Sequence, residues 1–335
     1  MVTGRSRRFK RANAGRWLAV VIVAATAGLA LGHAIVIAPR YHLGSFDDDA
    51  SYVEMALALA RGHGLTSLLT AGYPLGATYP AGYPALLAVV HLAGGGIGAY
   101  RLLSLLLLAA AFPLLWVYNR RQGLSIPIAS SVLVLLALNP VYATYGTMVM
   151  AETAFVTALL LLLCTTQRWM ERTGTFGVAG IATIVLAASL PWFKEAGIGA
   201  VAGLVLWLGW RRCWRRATAV AAGTAALLAP LVVARFVTGT PLLGSRYSSE
   251  ISGNLAGGLV HRVAIVAPTA VLHYISPVFG ESMAPVGWPP LWEGSPLRLI
   301  LDVARWTAFP IVCAGAVVWQ RRYGGPAVAI AAAYL

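Results

Sequence analysis

Apolar residues come in runs near 20 long, separated by short polar turns, and this rhythm repeats along most of the chain. About 20 apolar residues in a helix cross the ~30 Å of a bilayer's hydrocarbon core. The runs place spans at 17–38, 98–118, 125–141, 147–166, 175–191, 195–210, 217–235, 299–319 and 326–335. The pattern predicts an all-α polytopic membrane protein with about nine transmembrane helices. A basic tail, 1–16, would precede one transmembrane domain, 17–335. The first run is too long for the core of a signal peptide, and no small-residue cleavage site clearly follows it. The last run stops inside an apolar stretch, as expected of a larger fold of which part is missing.

Charge adds a direction to this pattern. Sixteen of the 25 Lys and Arg residues fall in the tail and at every second turn: Arg120-Arg121, Arg168 and Arg172, Arg211-Arg212 with Arg215-Arg216, and Arg321-Arg322. Of 11 acidic residues only Glu171 shares that side. Basic residues in short loops mark the cytoplasmic face. The expected location is the plasma membrane, with the N-terminus in the cytoplasm and the long segments 39–97 and 236–298 outside. The net charge of +14 is thus a topology signal. It does not indicate nucleic-acid binding, because the basic residues are dispersed over short turns. Cys164, Cys213 and Cys313 all lie toward the cytoplasmic side, so they form no disulfide framework for the outer loops.

The first outer segment opens with Asp47-Asp48-Asp49. Carboxylates this close repel one another and attract cations or basic groups. Asp49 can cap a helix from Ala50 to about Gly62, since a carboxylate there meets free N–H groups and the positive end of the helix dipole. Three readings of the cluster stand side by side: a capping group, a divalent-cation site, or catalytic carboxylates. His42 and His63 lie nearby without diagnostic ligand spacing. A Pro-, Gly- and Tyr-rich stretch follows, from Tyr73 to Pro84, and then an apolar helix near 83–93 that is too short to span.

This order of features resembles the GT-C superfamily of membrane glycosyltransferases, especially the branch of protein O-mannosyltransferases and lipid A aminoarabinose transferases. The family pattern Asp-(Asp/Glu)-x-x-Tyr-x-x-x-Ala is similar to Asp48-Asp49-Ala50-Ser51-Tyr52-Val53-Glu54-Met55-Ala56. The family's Pro-rich region is similar to Tyr79-Pro80-Ala81-Gly82-Tyr83-Pro84. Its acid at the start of the fourth span resembles Glu152, and its Lys between the fifth and sixth spans resembles Lys194. Its exit from span seven resembles Arg235 to Pro241. Ser51 and Tyr79 stand where some members carry basic residues that would touch the carrier phosphate.

The resemblance implies a GT-C-like bundle and transfer of a sugar from a polyprenyl phosphate donor to a hydroxyl of a glycan, lipid or protein acceptor. Membrane lipids are the other expected partner. Asp48 is implied as general base, removing the acceptor proton in one inverting displacement, and Asp49 as the second catalytic carboxylate, which either caps the helix or shares a proton and raises its partner's pKa. The remaining candidates are Asp47, Tyr52, Glu54, Tyr83, Arg101, Glu152, Lys194, Arg235 and Arg246 as substrate-binding groups, the basic ones facing the leaving phosphate. An ion pair of Glu152 with Lys194 or Arg101 is the structural alternative for that acid. Two other functions fit the composition. A transporter or flippase for a lipid-linked or anionic substrate would place charges at midplane in repeated broken helices, and here the acids lie on one side with no detectable repeat. A non-catalytic GT-C-like membrane partner would keep the fold without the chemistry.

Overall fold

The computed structural model describes residues 3–45, 47–66, 68, 79–172, 177–238, 314–322 and 324–334. Among these every regular element is helical and no strand forms. Helix α1 is Thr3–Ile37, α2 Asp47–Ala60, α3 Gly82–Leu92 and α4 Ile97–Arg121. Next come α5 Ile126–Ala137, α6 Pro140–Thr147, α7 Ala151–Met170, α8 Val178–Phe193, α9 Gly197–Trp210 and α10 Trp214–Thr238. A helical stretch at 314–322 and α11 (Ala327–Tyr334) follow.

Among the described residues three helices are long and apolar enough to cross a membrane: Gly15–Ile37 within α1, Ile97–Arg121 and Ala151–Met170. The chain is an α-helical membrane protein. α1 begins at Thr3 and runs from the basic tail into the apolar span without a break. Arg, Lys and Ala are good helix formers, so the apolar span extends its helix backward. The bounds of the expected span 125–141 are corrected. α5 and α6 meet at a 59° bend and would count as a fourth crossing only together. Asn139 accepts a hydrogen bond from the Tyr142 N–H at 3.1 Å, and Pro140 occupies the first helical position. That is a helix start written inside an apolar run. α6 then ends at Thr147, where the next span was expected to begin, and α7 starts at Ala151. α8 and α9, at 16 and 14 residues, reach only ~21–24 Å at ~1.5 Å per residue.

The core lies between α4, α7, α8 and α9, around Leu108, Phe112, Leu162, Leu190 and Leu204, none of which is exposed. Small residues let these helices approach, as they do where lipid gives no hydrophobic drive between helices. A Cβ on Gly203 would lie 2.5 Å from the Ala329 carbonyl oxygen, so α9 and α11 touch backbone to backbone there. Val20, Leu102, Leu106 and Leu206 point outward, as lipid-facing side chains do.

The bundle has two chemically distinct ends. At one, Arg121 reaches the Cys164 carbonyl, Arg216 reaches the Arg172 carbonyl, and the Trp207 indole N–H bonds Gly324. The paired arginines of the turns after α4, α7 and α9 gather here. At the other end lie α2, α3, the start of α4, the α6–α7 junction and the α8–α9 turn, joined by the contacts of Arg101 with Tyr41 and of Lys194 with Glu152. The charge sorting read from the sequence is therefore a sorting between two faces of one bundle.

Candidate functional site

α2 begins at Asp47, three residues ahead of the expected start, so Asp49 is inside its first turn and is not the cap. Its carboxylate is 2% exposed, and Oδ1 accepts from the Gly44 N–H at 2.9 Å and the Ala50 N–H at 2.6 Å. Asp49 thus ties the loop before α2 onto the helix. Gly44 has φ +89, a backbone conformation that glycine adopts without strain. Asp48, half-buried, points elsewhere: the Tyr79 hydroxyl donates to its Oδ1 at 3.0 Å. The two acids of the Asp-Asp pattern have different partners and different tasks. Asp47 is the first helical residue, and its side chain lies outside the described residues. Among the described residues no three His, Cys, Asp or Glu side chains converge as metal ligands.

Aromatic rings form the wall behind Asp48. Tyr52 is buried one turn along α2 and meets the Tyr79 ring edge-on at 5.4 Å and the Tyr83 ring at 5.3 Å. Such edge-to-face pairs are worth about 0.5–1.5 kcal/mol each beyond their buried area. Tyr83 is fully buried and shares a hydrogen bond with the Ser104 hydroxyl of α4 at 3.0 Å. Burial pushes the Tyr83 phenol above its ordinary range; the Ser104 bond opposes this, and the Glu152 charge adds to it. Tyr83 therefore stays a neutral hydroxyl. α3, which carries it, seats on α8 through Gly82, where a Cβ would lie 2.6 Å from the Trp192 carbonyl oxygen. Glu54 accepts from the Leu68 N–H, 14 residues further along the chain, at 2.6 Å.

Lys194 and Glu152 form an ion pair at 2.7 Å, with side chains 25% and 18% exposed. Lys194 is positioned by the end of α8, where its extended backbone (φ −155, ψ 137) stops the helix. Glu152 stands in the first turn of α7, where a negative charge meets the positive end of the helix dipole. Glu152 Oε2 is buried and has no hydrogen-bond partner among the described residues. An unsatisfied buried acceptor costs about 1–3 kcal/mol. A partly shielded pair at a protein surface is worth about 1 kcal/mol. The two terms cancel at best, so folding stability does not account for the pair. Arg101 takes the third position at this end, with a guanidinium N–H donating to the Tyr41 carbonyl at 3.0 Å. Arg235 lies near the end of α10, with its side chain outside the described residues, and Arg246 lies outside them altogether.

The structure thus gathers Asp48, Asp49, Tyr52, Tyr83, Arg101, Glu152 and Lys194 at one end of the bundle. Sequence reasoning missed four features. Tyr79 stood out as a missing cation, whereas here it is the partner of Asp48. Ser104 and Tyr41 were passed over because an apolar helix and a loop gave neither a distinguishing pattern. The last is an open-sided cavity of about 380 Å³ beside Glu152 and Lys194, lined by α5, α6, α7 and α11. The Asn139-Pro140 pair was the available signal for it, because a bent helix leaves room beside it.

Compared with models of known protein families, with curated proteins and with solved structures, the chain matches none. The fold and site define a class, that of an α-helical membrane protein whose acidic and aromatic groups meet at one end of the bundle.

Proposed function

We propose that this chain is a membrane glycosyltransferase of GT-C type, with about nine spans, its N-terminus in the cytoplasm and its acidic end outside. It moves a sugar from a polyprenyl phosphate donor to an acceptor hydroxyl. The observation that carries the reading is the Asp48–Tyr79 hydrogen bond at 3.0 Å, against a wall of tyrosines. It holds a half-buried carboxylate at an apolar–aqueous boundary, and structural capping does not explain it, because Asp49 already joins the loop to the helix. In the proposed reaction the acceptor oxygen attacks the anomeric carbon while its proton passes to Asp48. The bond from that carbon to the phosphate oxygen breaks, and phosphate leaves with the electron pair. One base and one displacement invert the anomeric centre. Base catalysis of this kind is typically worth ~10²–10⁴-fold.

The leaving phosphate needs positive charge. Arg101 fits this role, since one of its five donors holds the Tyr41 carbonyl and fixes the fork in place. Arg235 stands near the end of α10, a helix that starts from the basic end and runs toward the acidic one. The charge of Lys194 is met by Glu152. Incubating the full chain in lipid nanodiscs with a panel of radiolabelled polyprenyl phosphate sugars tests the reading. Transfer that Asp48→Asn suppresses supports it. Lipid-linked sugar moved across the bilayer without cleavage would replace it with a transporter.

A further inference from the structure

The cavity beside Glu152 and Lys194 has an unusual lining. It runs along α7 from Glu152 to Leu163, roughly 16 Å at ~1.5 Å per residue. Tyr142, Phe155, Val156, Leu159 and Ile330 make its walls apolar. Glu152 and Lys194 are the charged side chains among its described lining residues, and they sit at the acidic end of the bundle. Long apolar walls with polar groups at one end describe the negative of an amphiphile.

The pair also specifies the head. Its charges sum to zero, and the two groups are in contact at 2.7 Å. An anionic head would have to pull Lys194 away and leave a shielded carboxylate without a counter-charge, a costly exchange in such surroundings. It would then lie against that same carboxylate. A hydroxyl meets no such barrier, since it both accepts and donates. It can take a hydrogen bond from the Lys194 ammonium and give one to the Glu152 carboxylate without separating the two charges.

We propose that the cavity binds the chain of an uncharged, hydroxylated lipid, a glycolipid or polyol lipid, whose head hydroxyl bridges Lys194 and Glu152. We assign this lipid as the acceptor of the transfer. The acceptor role rests on the glycosyltransferase reading, and the binding does not. Glu152 is adjacent to the aromatic wall, because Ala151 and Ala154 on the same turn of α7 pack in one buried cluster with Tyr52 and Tyr83. On the glycosyltransferase reading, another hydroxyl of the same head is the one that Asp48 deprotonates.

The test compares two radiolabelled probes of equal chain length with a photoreactive group in the chain: an alkyl glycoside and an alkyl phosphate. Each is titrated onto the full chain in nanodiscs, and the crosslinked segment is mapped. The glycoside should bind at least about tenfold tighter and crosslink to α7 or α11. Val156→Trp, which fills the cavity, should abolish that binding. Glu152→Gln leaves Lys194 uncompensated and should reverse the preference toward the phosphate. Equal or tighter binding of the phosphate by the unaltered chain, or no reversal in Glu152→Gln, overturns the proposal. If the glycoside binds in the cavity but only other acceptors are glycosylated, the acceptor assignment falls and the transferase stands. If no acceptor is ever glycosylated, the transferase reading falls while the lipid site stands.

Discussion

Tyr79 donates its phenolic hydrogen to Asp48 at 3.0 Å across 31 residues of chain. The described end of the Pro-rich stretch is thereby held against the start of α2, and the same tyrosine packs on Tyr52 one turn further along. Asp48→Asn keeps the shape of the side chain and removes its basicity, so turnover should fall by about two to four orders of magnitude. Tyr79→Phe keeps the ring packing and loses the hydrogen bond, so activity should drop only about tenfold. Initial rates with labelled donor measure both. Equal rates in all three proteins would take Asp48 out of the chemistry.

Asp49 has a structural task, and its loss should register in stability. Asp49→Ala removes the acceptor shared by the Gly44 and Ala50 N–H groups and should cost about 0.5–1.5 kcal/mol. Asp49→Asn retains an acceptor oxygen and should cost less. Asp47→Asn, ahead of the family-like pattern, should change little in either stability or rate. Thermal unfolding in detergent ranks the three. A ranking led by Asp47 would contradict the division of labour between these acids.

The Glu152–Lys194 pair calls for a double-mutant cycle. Lys194→Met alone strands a carboxylate that is only 18% exposed, whereas Lys194→Met with Glu152→Gln removes both charges. The double variant should be more stable than the single one, because a lone shielded charge costs more than the pair contributes. Melting temperatures decide the order.

Gly82 seats α3 on α8, with no room for a Cβ beside the Trp192 carbonyl. Gly82→Ala should push the two helices apart and destabilise the fold by about 1–3 kcal/mol. It should also shift Tyr83, visible as altered tyrosine fluorescence. Gly98→Ala, with open space around its Cβ, is the control and should be neutral or mildly stabilising.

Orientation is checked with an impermeant thiol reagent on sealed cells. Ser67→Cys and Ser282→Cys, outside and in long segments, should label. Arg120→Cys and Arg212→Cys, at the basic end, should not. The reverse pattern would turn the protein over and put Asp48 in the cytoplasm.

Much of this architecture was legible because membrane physics writes it locally. Span length gave α4 and α7 to within a few residues, and arginine pairs at alternate turns gave the two faces. The break at Asn139 was masked by the apolar residues on both sides, although Asn followed by Pro is a start signal at any hydropathy. The start of α2 was misplaced because three consecutive Asp residues offer three equivalent caps, and only the position of Gly44 chooses among them. The site was legible as a set and not as pairs. Glu152 and Lys194 were both foreseen, but their contact spans 42 residues and depends on how α7 and α8 pack. Tyr79 was judged by what it lacked, because its partner is set by a loop return that spacing does not encode.

α1 is 35 residues long, which at ~1.5 Å per residue is roughly 52 Å of rod for a ~30 Å hydrocarbon layer. Its apolar part begins at Gly15, so about three turns of helix precede it, and their sequence holds Arg5, Arg7, Arg8, Lys10 and Arg11. A rod this basic at one end resists being drawn into hydrocarbon. It behaves as a keel, setting the depth at which the bundle floats. Every group at the far end, Asp48 included, inherits its height above the hydrocarbon from that setting.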